Sequence, residues 1–156
     1  MAEHVWSVVC EKLLTEENGV ISLVSVLERI NLHGDLGRLE SDLAGAEGFA
    51  YPMRLMVWCV RSDYSRPETF SLRISWSTPN GNRVPTKVEN RQINLDNVTG
   101  ARLHVLVPGV PWNGPGLYWL VVEIQNEGEE WTTAARLPIE VVVLPQPQQE
   151  SDKASA

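Results

Sequence analysis

The sequence has no stretch with an excess of positive charge. Thirteen lysines and arginines stand against twenty aspartates and glutamates, the formal net charge is −7, and the basic residues are scattered singly. Binding to nucleic acid needs clustered cations that neutralise phosphates and displace counterions, so this balance argues against it. An anionic membrane surface is disfavoured for the same reason. No apolar run approaches the roughly 20 residues of a transmembrane helix. The opening Met1-Ala2-Glu3-His4 lacks a basic n-region, and Glu11, Lys12, Glu16 and Glu17 interrupt the apolar residues that follow. The expectation is a cytoplasmic protein with no nucleic-acid or membrane partner.

Residues that carry chemistry are sparse and dispersed. Nucleophilic catalysis needs a Ser, Cys or Thr beside a base, commonly on a strained turn, and no Gly-x-Ser-x-Gly occurs. The three histidines, His4, His33 and His104, lie far apart, and no His-x-His or Cys-x-x-Cys spacing suggests a metal. Asp35, Asp42, Asp63 and Asp96 are too dispersed for a calcium loop. The carboxylate pairs Glu16-Glu17 and Glu129-Glu130 fall at expected hairpin tips, where solvation leaves little to shift a pKa. Cysteine is nearly absent. Cys10 and Cys59 fall inside expected strands, and in a reducing compartment two buried free thiols are favoured over a bridge. No catalytic residue, metal or cofactor is expected.

What the chain does contain is strand after strand, with turn residues at short intervals, which is the pattern of a sandwich or a barrel. Val5 to Thr15 and Val20 to Leu32 flank Glu16-Glu17-Asn18-Gly19, a turn whose Asn and Gly tolerate positive φ. Both arms are rich in β-branched residues and carry apolar side chains on both faces, so both are expected to be covered on both sides. His33 to Ala50 breaks the β pattern. Leu36, Leu39 and Leu43 have helical spacing but glycines bracket them, which suggests a loop with about two helical turns. Pro52 opens a strand from Met53 to Arg61. The cleanest alternation follows, with Phe70, Leu72, Ile74 and Trp76 on one face and Ser71, Arg73, Ser75 and Ser77 on the other.

Val84 to Leu95 is polar and contains Pro85, as befits a sheet edge. Gly100 to Pro108 alternates again. Gly116 to Asn126 and Glu130 to Leu144 form a second hairpin across Glu127-Gly128-Glu129. Residues 145 to 156 are polar, contain proline and lack aromatics, so a disordered tail is expected after a single domain spanning 1 to 144. About eight strands fit an all-β, two-sheet antiparallel sandwich of immunoglobulin-like or Greek-key topology, with a closed barrel as the alternative. The strand order is open.

Several of these turns resemble those of a family of uncharacterised bacterial proteins of about this length. In that family an early Cys or acidic strand end precedes a Glu-Asn-Gly turn and a strand ending in Asp/Glu-Arg-Ile. Cys10, Glu17-Asn18-Gly19 and Glu28-Arg29-Ile30 occupy those places, and Pro115-Gly116-Leu117-Tyr118 is similar to the family's proline-glycine-aromatic strand entry. The likeness covers roughly residues 5 to 144. Two departures are Ser25, where the family pattern has glycine, and a longer connector between residues 33 and 50. The resemblance implies a sandwich and, being to a domain of unknown function, no activity.

The aromatic content is the most informative feature, because six tryptophans accompany two phenylalanines. Trp76 shares the parity of an apolar row and is expected in the core. Trp119 has the opposite parity to Tyr118, Leu120, Val122 and Ile124, so it points outward with Leu117 and Val121. Met56, Trp58 and Val60 likewise oppose the row of Met53, Leu55, Val57 and Cys59. If the two strands are neighbours, Met56, Trp58, Trp119 and Val121 form an apolar outer patch suited to a protein contact. Core packing and small-ligand binding are the competing readings of the same residues. Trp112, in the loop from Gly109 to Pro115, and Trp131, beside the last turn, either cap an end of the sandwich or line a ligand-binding rim that stacks a small molecule or a sugar. The leading expectation is a non-enzymatic protein acting through contact with itself as a homodimer or with a protein partner. A ligand- or glycan-binding module using the loop tryptophans is the alternative, followed by an enzyme of unknown type.

Overall fold

The computed structural model describes residues 1–86, 88 and 90–146; the tail expected from residue 147 onward lies outside them. Ten strands and one short helix follow in the order β1 (Ala2–Thr15), β2 (Ile21–Val26), β3 (Arg29–His33), α1 (Leu36–Leu43), β4 (Phe49–Arg61), β5 (Thr69–Ser77), β6 (Arg83–Pro85), β7 (Arg91–Asn94), β8 (Gly100–Val110), β9 (Gly116–Asn126) and β10 (Thr132–Leu144). They form two packed sheets, so the fold is an all-β sandwich. One sheet has the order β2-β1-β4-β8, and the other β3-β10-β9-β5-β6, with β7 also paired to β5. Both orders are open, which sets aside the barrel.

Two of the eight expected strands each divide. The second arm of the first hairpin breaks at Leu27 and Glu28. β2 stays antiparallel to β1, while β3 crosses to the other sheet and runs parallel to β10, with Ile30 opposite Val141. The pairing is therefore antiparallel except at that one ladder. The polar segment from 84 to 95 divides into β6 and β7, both on the free side of β5, so its reading as a sheet edge holds. Arg83, Pro85 and Arg91 leave that edge poorly suited to pairing with another chain.

The first turn forms as expected. Gly19 has φ +79°, the Gly19 amide donates to the Glu16 carbonyl at 2.9 Å, and the Val20 amide donates to Asn18 Oδ1 at 3.0 Å. The expectation that both arms are covered does not hold. Leu14, Val20 and Val26 are each more than half exposed, because β2 pairs with β1 alone and sits at the sheet edge. Ser25, where the resembled family has glycine, lies at φ +55°, a region that crowds any Cβ. Ser25→Gly is expected to raise stability by about 0.5 to 1 kcal/mol, since the relief of that strain exceeds glycine's extra chain entropy. A urea midpoint unchanged or lowered by the substitution would show that the serine is not strained.

The inner face of β5 carries Phe70, Leu72, Ile74 and Trp76, all nearly inaccessible. They pack with Tyr118, Leu120 and Val122 of β9 and face Met53, Leu55, Val57, Val105 and Val107 of the opposite sheet. Where β4 meets β8 the backbones approach closely. A Cβ on Gly48, at φ +139°, would overlap the Val110 carbonyl oxygen and come within 2.8 Å of Pro111 Cα. Pro52, which has no N–H to give the ladder, lies within the register shift between Ala50 and Met53. The helical turns expected around Leu36, Leu39 and Leu43 are present, capped by Asp35, whose carboxylate accepts from the Arg38 amide at 3.0 Å.

The two cysteines are free and buried. Cys59 belongs to the inner row of β4, while Cys10 lies opposite Arg54 on the other parity, so the thiols face opposite sides of one sheet. That geometry cannot be bridged. Burial pushes the Cys59 thiol up to about 11 and raises Cys10 as well, which leaves both protonated at neutral pH.

Candidate functional site

The sheet topology separates the four residues expected to share an apolar patch. β4 and β9 belong to different sheets, so Met56 and Trp58 lie on one outer side of the sandwich and Trp119 and Val121 on the other. Met56 is 2% exposed and Val121 1%, so neither offers surface to a partner. Parity was right for both rows. The adjacency of their strands was not, because alternation along a strand says which face a residue takes but not which strand lies beside it.

The loop tryptophans are separated too. Trp112 precedes β9 and Trp131 follows it, and eleven extended residues put the ends of β9 about 33 Å apart. Trp112 packs edge-on against Phe49, with ring centroids 6.1 Å apart. Its loop is pinned by the Tyr118 hydroxyl, which accepts from the Asn113 amide at 2.9 Å and donates to the Gly114 carbonyl at 2.7 Å. Trp112 and Trp131 therefore do not form a single rim.

What the fold does assemble is a band on the outer face of the six-stranded sheet. The outward row of β5 (Ser71, Arg73, Ser75, Ser77) lies opposite Gln125, Glu123, Val121 and Trp119 of β9. Beyond β9, Trp119 meets Pro138 and Val121 meets Arg136 on β10. Arg83 arrives from β6 opposite Ser77. Arg73 grips Glu123 through two of its guanidinium nitrogens, Nε to Oε2 at 2.8 Å and Nη2 to Oε1 at 3.3 Å. Arg83 adds a contact to Oε2 at 3.3 Å and donates to Ser75 Oγ at 2.5 Å. The hydrogen bond from Arg73, helped by the charge of Arg83, holds the Glu123 carboxyl below its ordinary range against the cost of burial.

Each end of this band carries a tryptophan with a stacked guanidinium. Arg73 sits 4.3 Å from the centre of the Trp131 ring, and Arg136 sits 4.7 Å from that of Trp119. Both rings are half-buried, so each shows part of its area to solvent. Across these rows the outward charges are Arg73, Arg83, Arg136, Glu123 and, opposite Leu117, Glu140, which pairs with Arg29. A protein of net charge −7 thus places two guanidinium groups on one carboxylate and a third, that of Arg136, over Trp119. Planar guanidinium groups stacked on indoles are positioned for carboxylates and for flat apolar surface alike. Sequence reasoning missed the arginines and Glu123. Arg73 was visible as an outward residue of its strand, but its partner Glu123 on β9 is 50 positions away along the chain, and Arg83, which shares that carboxylate, is 40 from it.

The opposite outer face has its own aromatic pair. Trp58 meets Trp6 edge to face at 5.9 Å, and Arg102 from β8 lies 5.3 Å from the Trp58 ring centre. Trp6 also escaped the sequence reading. Among the described residues, no cluster of three or more His, Cys, Asp or Glu could hold a metal ion.

No family model matches the chain, and no curated protein matches it. Among solved structures it is similar to a family 123 glycoside hydrolase from Clostridium perfringens at 14% identity and a TM-score of 0.35, over 91% of this chain and 28% of the hydrolase. The chain thus spans little more than a quarter of that enzyme's length. It is also similar to the CooA pilin subunit of enterotoxigenic Escherichia coli at 10% identity and a TM-score of 0.29, over 90% of this chain and 99% of the pilin. Likeness at this level carries nothing about chemistry or partners.

Proposed function

We propose that this protein is a non-enzymatic binding module that works by protein–protein contact, and that its contact surface is the tryptophan and arginine band on the outer face of the six-stranded sheet. The observation that supports the reading is the stacking of Arg73 on Trp131 and of Arg136 on Trp119 within one continuous strip. Tryptophan and arginine are the side chains most enriched where a few residues dominate an interface. Here their rotamers are held by stacking and by Glu123, which lowers the entropy lost on binding. The complement is an acidic partner surface with an apolar centre. A symmetric dimer through this face would bring like charges together, which costs affinity, so a different partner is favoured over a second copy. The two protonated, unbridged cysteines suit a reducing compartment such as the cytoplasm.

The reading is tested with a photoreactive amino acid at position 138, beside Trp119, and at position 106 on the opposite sheet. Crosslinking in the native cell is expected to give a discrete adduct from 138 but not from 106. Arg136→Glu removes a side chain that is exposed and outside the Glu123 pair, so the fold stays intact. It is expected to reduce the adduct roughly tenfold, as reversing a charge at a charged interface does. An adduct that survives the reversal, or none from position 138, rejects this face.

A further inference from the structure

The outer face of the four-stranded sheet borders the first hairpin. β1 runs past its last partner on β4, Arg54 opposite Cys10, and continues as the first arm of the β1–β2 hairpin. Residues of its turn and second arm line a common groove with side chains of the sheet. Val20, Ile21 and Leu23 from the hairpin and Trp6, Met56 and Arg102 from the sheet line an open groove of about 380 Å³. That volume falls within the range of small-molecule sites.

The lining is apolar apart from the backbone and side chain of Asn18 and one charge. That charge is Arg102. It stands opposite Trp58 in the ladder, its guanidinium 5.3 Å from the ring centre, and makes no ion pair among the described residues. The contrast with Arg73 and Arg83, which share Glu123, is direct. A cation held against an aromatic ring at the mouth of an apolar groove, with no carboxylate of its own, has the pattern of a site for an anion with an apolar body.

We propose that this groove binds a medium-chain aliphatic carboxylate, its chain against Trp6, Val20 and Leu23 and its carboxylate paired with Arg102. Val20 and Leu23 present exposed aliphatic surface of the kind that an alkyl chain covers. The same arrangement accounts for why the hairpin's apolar residues remain incompletely covered: Leu23 is 37% exposed and Val20 51%. A chain laid between hairpin and sheet would remove part of that surface from water.

The test uses the full chain with decanoate, below its micellar concentration, and decanol as the uncharged counterpart. Binding is read by titration calorimetry and by the tryptophan emission that Trp6 and Trp58 contribute. Saturable binding of one decanoate per chain is expected. Arg102→Gln, at an exposed position, is expected to weaken decanoate roughly tenfold, the loss of a charge-assisted hydrogen bond, and to leave decanol unchanged. Leu23→Asp is expected to abolish both ligands, with circular dichroism verifying that the fold is kept. The absence of saturable decanoate binding by the wild type overturns the proposal. So does decanoate binding indifferent to Arg102→Gln, or an equal loss of decanoate and decanol, which would make Arg102 a support of the groove and not a ligand contact.

Discussion

Trp76→Ala is expected to lower the free energy of unfolding by about 3 to 5 kcal/mol, the range for truncating a buried tryptophan. Trp76 is 2% exposed and closes the inner row of β5. It meets Tyr118 edge to face at 6.4 Å and lies opposite Leu120 on β9 and Val84 on β6. Both neighbouring strands are hydrogen-bonded to β5, so the backbone has little freedom to collapse into the space an indole leaves. Much of the cost is the cavity itself, and Trp76→Phe should recover a large part of it. Tyr118 also pins the loop that carries Trp112, so a shift in the emission of Trp112 should accompany the loss of stability. Urea denaturation provides the measurement. A loss under about 1 kcal/mol would mean that the inner row tolerates a void, contrary to close packing.

Glu123→Gln is expected to cost about 2 kcal/mol at neutral pH, the scale for losing hydrogen bonds to a charged group. Glu123 is 7% exposed, while the side chains of its partners Arg73 and Arg83 are 40% and 48% exposed, so water softens the loss below that of a fully buried pair. The effect also depends on pH with a definite sign. Because the hydrogen bond from Arg73 lowers the folded carboxyl's pKa, the stabilisation is complete above the unfolded glutamate value near ~4.3 and fades as pH falls through the lower folded value. The gap between wild type and variant should therefore be widest near neutrality and close in acid. Glu68, also held below its ordinary range despite its burial, keeps part of the acid sensitivity in both proteins. Urea midpoints at several pH values decide the matter, and a gap that stays constant down to acid would show that the carboxylate's charge contributes nothing.

The legibility of each element followed from the range of the interaction that makes it. The β1–β2 turn was readable because Asn18 and Gly19 close it within a few residues, and the side chain and φ found there are the ones such a turn requires. The inner row from Phe70 to Trp76 was readable because parity along a strand is local. The edge character of residues 84 to 95 was readable from Pro85 and the polar side chains, although its division into β6 and β7 was not. The crossing from β2 to β3 was hidden, since nothing in Leu27 and Glu28 announces that Arg29 will pair with Glu140, 111 positions later. Trp58 and Trp119 were each given the right parity and then wrongly placed side by side. Trp6 went unnoticed because its partner Trp58 is defined by a ladder between strands 52 positions apart.

Composition and short-range pattern alone determined that this chain is all-β with the pattern of a sandwich or a barrel, where its two hairpin turns fall, that Trp76 is buried, and that its net charge is acidic. Those properties depend on backbone geometry and on alternation, which act within a few residues. The tertiary structure alone decided that arginines from β5 and β6 meet on Glu123 while Arg73 and Arg136 lie over Trp131 and Trp119, and that residues of the first hairpin line one groove with Trp6, Met56 and Arg102. Strand order governs those meetings. It emerges from burying two whole sheet faces against each other, a sum over residues distant in the chain that no local signal encodes.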